Sequence, residues 1–121
     1  TLKLAQSLQC DYVNFYTAMA YPGSRLYDEL QAQGVSLPEA WLAYSQLSPE
    51  ACPLPTASLS SAEVLAFRDY AFTEFYNDPV YLDRIGKQFG RDTVVHIQDM
   101  VQHTLKRDLL AKIGEKSNHD H

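Results

Sequence analysis

The stretch DYVNFYTAMAYPGSRLY, Asp11–Tyr27, decides how the rest of the chain is read. Tyr12–Ala20 holds no charged residue and mixes aromatic with β-branched side chains, and Pro22-Gly23 follows where a strand would stop. The pattern predicts a strand covered on both faces, then a tight turn and a helix. Side chains alternate along a strand, so Tyr12, Asn14, Tyr16 and Ala18 are expected on one face, with Val13, Phe15, Thr17 and Met19 on the other. Asn14 is the polar residue in the middle of the run, and a buried amide must find hydrogen-bond partners or face an open site.

No second strand can be read elsewhere in the sequence. A buried N–H or C=O left without a partner costs about 1–3 kcal/mol, so a strand of this kind asks for neighbours that the chain does not offer. The expectation is therefore a piece of a larger protein, or a homodimer formed along the strand edge. Thr1–Leu8 fits the end of a helix that begins in mid-pattern without a cap, which also suggests a truncated chain.

Downstream of the strand, Ser24–Gln33 reads as a short helix stopped by Gly34. Ser36 and Glu39 have the spacing of a capping box, with Trp41, Leu42 and Tyr44 on the helix it would start. Pro49, Pro53 and Pro55 make Ser48–Leu59 an irregular strap. A second capping box, Ser60 to Glu63, opens a helix striped by Val64, Phe67, Ala71 and Phe75. Asp78-Pro79 caps the next helix, which Gly90 ends, and Asp92 is expected to cap a third helix from Thr93 to about Ile113. The predicted fold is mainly α: a helical bundle with one N-terminal strand. Its organisation is 1–34 (helix end, strand, turn, helix), 35–59 (strap with a short helix), 60–114 (three-helix bundle) and 115–121 (disordered tail).

Composition narrows the function classes. The chain has 121 residues, enough for one domain with a real core. Ten basic against fifteen acidic residues and a net charge of −5 argue against nucleic acid. No apolar run is long enough to span a bilayer and no signal peptide is read, so a cytoplasmic protein is expected. Cys10 and Cys52 are too few for a disulfide framework. Cys52 has no neighbouring His or basic residue to activate it as a nucleophile. His96, Asp99 and His103 share a helix face, but positions i and i+7 lie about 10 Å apart along the axis, too far for joint metal ligation. No phosphate loop, GxSxG or HExxH motif occurs, so no catalytic and no metal-binding residue is assigned.

Three segments carry a family resemblance: CDYVNFYTAMAYPGSRLYDE (10–29), SLPEAWLAYSQLSPEACPLPT (36–56) and SSAEVLAFRDYAFTEFYNDPVYLDRIGKQFG (60–90). They resemble the C-terminal third of radical S-adenosylmethionine enzymes of the group that also carries a cobalamin-binding domain. The resemblance implies that the strand would be the last of a partial (β/α) barrel in a full-length parent. That parent would use a 4Fe–4S cluster, S-adenosylmethionine and possible cobalamin. Its CxxxCxxC motif, whose thiolates hold the cluster, is absent here, so no cofactor is expected on this chain. Barrel enzymes do their chemistry at the C-terminal ends of strands, so the resemblance implies Asn14, Tyr16, Tyr21 and Ser24 as substrate- or cofactor-lining residues. A plain turn at Tyr21-Pro22-Gly23 with Ser24 as the next N-cap stays open beside that role. The expected function is the non-catalytic C-terminal portion of such an enzyme, inactive alone and partnered by the rest of it. The alternative is a stand-alone helical interaction or dimerisation module.

Overall fold

The computed structural model describes residues 1–111. Its elements are α1 (Leu2–Ser7), α2 (Arg25–Ala32), a 3-10 turn (Trp41–Tyr44), α3 (Ser61–Asn77), α4 (Pro79–Phe89) and α5 (Arg91–Gln102). The mainly helical expectation holds. The N-terminal strand does not: no strand forms among the described residues, and 12–20 carry neither helix nor ladder. The two-residue alternation that suggested a strand is nevertheless present, with Phe15, Thr17 and Met19 buried and Tyr12, Asn14, Tyr16 and Ala18 exposed. Alternating burial needs only a core on one side, whereas a strand needs backbone partners in register. Here most of the partners are side chains.

The described chain divides into two compact units. The first comprises Thr1–Phe15 and Arg68–Thr104. Its core is Phe15, Ala71, Phe75, Tyr76, Tyr81, Ile85 and Ile97, with Leu2, Ala5, Val13 and Phe72 among the half-buried residues packed on it. Phe75 lies within stacking range of Phe15 (6.1 Å between centroids), Tyr76 (5.0 Å) and Tyr81 (4.8 Å). Helix α4 starts as its sequence dictates: the Asp78 carboxylate accepts from the Val80 N–H at 3.1 Å, and Pro79 occupies the first position, where no donor is needed.

The start of α5 departs from expectation. Gly90, at φ +94°, is its N-cap, and the helix begins at Arg91 instead of after Asp92. A left-handed Gly turns the chain within one residue, so α4 and α5 follow without a loop. At Gly86 a Cβ would sit 3.3 Å from the Val94 side chain, so the absent side chain admits close packing there. Helix α5 also ends early, at Gln102, and helix resumes only at 108–111. The single helix expected to reach Ile113 is thus broken, and the expected disordered tail 115–121 lies outside the described residues.

The second unit comprises Tyr16–Phe67 and the chain from Leu105 on. Met19, Tyr44, Ala51 and Leu65 form its core, with Tyr27 and Leu109 packed against them. The break after α5 has a physical cause in this unit: the buried Arg107 guanidinium donates to the carbonyls of Gln46 (2.7 Å) and Ser48 (3.0 Å). Charge-assisted bonds of this kind outweigh one lost turn of helix.

Helix α2 is capped at both ends. Ser24 Oγ accepts from the Tyr27 N–H at 3.1 Å. Gly34, at φ +81°, lets the Val35 N–H donate to the Leu30 carbonyl and its own N–H to the Gln31 carbonyl, the two hydrogen bonds of a Schellman motif. The capping box expected at Ser36 and Glu39 is not made. Only the one-turn 3-10 helix forms, because the Tyr44 hydroxyl donates to the Pro38 carbonyl at 2.6 Å and holds that stretch out of helix. The proline strap is pinned by Cys52 N–H to Ala43 O and Leu54 N–H to Ala18 O, both 2.8 Å.

The capping box read at Ser60 and Glu63 is formed in both directions, at 3.2 Å and 3.3 Å. Ser60→Ala should therefore cost about 1 kcal/mol, read as a lower urea midpoint. An unchanged midpoint would mean that the first turn of α3 is held by packing alone.

Candidate functional site

Long polar side chains grip the alternating segment in each unit. In the first unit Arg84 donates to the Cys10 carbonyl (2.7 Å) and to the Asp11 carboxylate (2.9 Å), and the Tyr81 hydroxyl donates to the Asp11 carbonyl (2.7 Å). Tyr76 does two jobs with one phenol oxygen: it accepts from the Val13 N–H (3.0 Å) and donates to the Val13 carbonyl (2.6 Å). Arg68 donates through Nε to the Phe15 carbonyl at 2.7 Å, lies over the Phe72 ring at 5.0 Å and pairs with Asp69. Arg68, Phe72 and Tyr76 are spaced four apart, so one face of α3 delivers all three.

Burial dominates the electrostatics of these phenols. It pushes Tyr76 from its ordinary 10.0 up to about 12, against the opposing pull of its bond to the Val13 backbone. Burial also raises Tyr81, while the neighbouring Arg84 cation works the other way. Phenols held neutral in this way are hydrogen-bonding clips and not proton-transfer groups at ordinary pH.

In the second unit one residue stands in for a neighbouring strand. The Gln46 side-chain oxygen accepts from the Thr17 N–H and hydroxyl, each at 2.9 Å, and its nitrogen donates to the Thr17 carbonyl (3.0 Å) and the Tyr21 hydroxyl (2.8 Å). An amide carries a donor and an acceptor side by side, as a peptide unit does, which is why it can pair with one. Gln46→Ala should cost about 2 kcal/mol by stranding the Thr17 backbone groups. Gln46→Glu keeps the acceptor but loses the donor, and should fall between. Equal stability of all three proteins in urea unfolding would sink this assignment.

The four residues expected to line a site are placed as follows. In the first unit Asn14 is exposed. In the second, Tyr16 is 67% exposed, and Tyr21 is exposed with its hydroxyl bound to Gln46. Ser24 is half-buried with its oxygen engaged in capping α2. Among the described residues no three His, Cys, Asp or Glu side chains converge, and His103 ends α5 as its C-cap. Cys10 and Cys52 are half-buried free thiols. The structurally decisive residues Gln46, Arg68 and Arg84 were not singled out by sequence. The one signal available was Arg68, a charge set inside the apolar stripe between Val64 and Ala71.

No protein-family profile matches the chain, and no solved structure does. The chain is similar to an uncharacterized methyltransferase of Pyrococcus horikoshii, 29% identical over 82 residues. The match covers 68% of this chain and 17% of that relative, so the chain spans about a sixth of its length.

Proposed function

We propose that the chain is the C-terminal, non-catalytic portion of a radical S-adenosylmethionine methyltransferase, bracing the reaction space and exposing side chains towards it. The observation that carries this reading is the likeness of two thirds of the chain to a small part of a relative named as a methyltransferase. Its chemistry would reside elsewhere in the parent, since the residues here do not fit an iron–sulfur cluster. Such a cluster takes several cysteine thiolates, and the chain has Cys10 and Cys52, in different units. What these residues do is positional. Gln46 holds Thr17 and Tyr21, so Tyr16 and Tyr21 are presented on a backbone fixed by hydrogen bonds.

Extending the coding sequence upstream of Thr1 tests the reading. An open frame that encodes CxxxCxxC is the expected result, and an in-frame stop close to Thr1 would overturn it. Trp41, 80% exposed, and its exposed neighbour Leu42 favour a second reading, a helical module that dimerises. A dimer in light scattering together with that stop would carry the second reading in place of the first.

A further inference from the structure

We draw no further inference here: the strongest candidate, the small cleft in the first unit between Gln9 and the first turn of α4, holds Arg84 already paired with Asp11 and the Cys10 carbonyl and Asp78 already capping α4, so no group in it selects a ligand.

Discussion

Phe75→Ala should lower stability by about 3–5 kcal/mol, seen as a large fall in the urea midpoint with the slope unchanged. Phe75 is 2% exposed, and its ring meets Phe15, Tyr76 and Tyr81 at once. Truncation removes the transfer energy of the ring and leaves a cavity that three rigid aromatic neighbours cannot close. A domain of this size is stable by about 5–15 kcal/mol, so the loss would be a large share of the total. Val80, exposed on α4, is the control: Val80→Ala should change stability by no more than about 0.5 kcal/mol. Equal effects at the two positions would mean that the aromatic cluster is not the core of the first unit.

Tyr76→Phe is the second large effect, about 2–4 kcal/mol, although it deletes a single oxygen. That oxygen serves both the N–H and the carbonyl of Val13, and each buried group left unpaired costs about 1–3 kcal/mol. A pH titration reads the burial of the same phenol independently. The folded-state pKa of Tyr76 is raised to about 12 from 10.0, so the native state holds the phenol proton more tightly than the unfolded chain does. Its stabilising contribution is therefore complete below pH 10 and is lost as the pH climbs from 10 towards 12. At 1.36 kcal/mol per unit the loss amounts to about 2–3 kcal/mol. The Phe variant should lack that part of the alkaline slope. Parallel alkaline curves for the two proteins would show that burial does not hold the Tyr76 phenol neutral.

Local chemistry was legible wherever it is self-contained. Ser24, the Ser60–Glu63 pair and Asp78-Pro79 cap helices as read, because each satisfies backbone donors within four residues of itself. Gly34 and Gly90 stop their helices just as locally, through the positive φ that each adopts. The Ser36–Glu39 box failed because Tyr44, a buried residue several positions away, claims the Pro38 carbonyl. The helix after Asp92 was read too long because the bonds of Arg107 to the Gln46 and Ser48 carbonyls lie about sixty positions apart along the chain.

The same division runs through Asp11–Tyr27. Its sequence alone determined the alternation of burial from Tyr12 to Met19, since the order of apolar and polar side chains sets which of them enter a core. Whether that segment becomes a strand depends on what meets its backbone, and those partners come from distant positions: Gln46, Leu54, Arg68, Tyr76 and Tyr81. Hydrogen-bond partners that the fold alone brings together leave no periodic mark in a sequence, so the tertiary structure decided that mostly side chains, and not a second strand, hold this stretch in place.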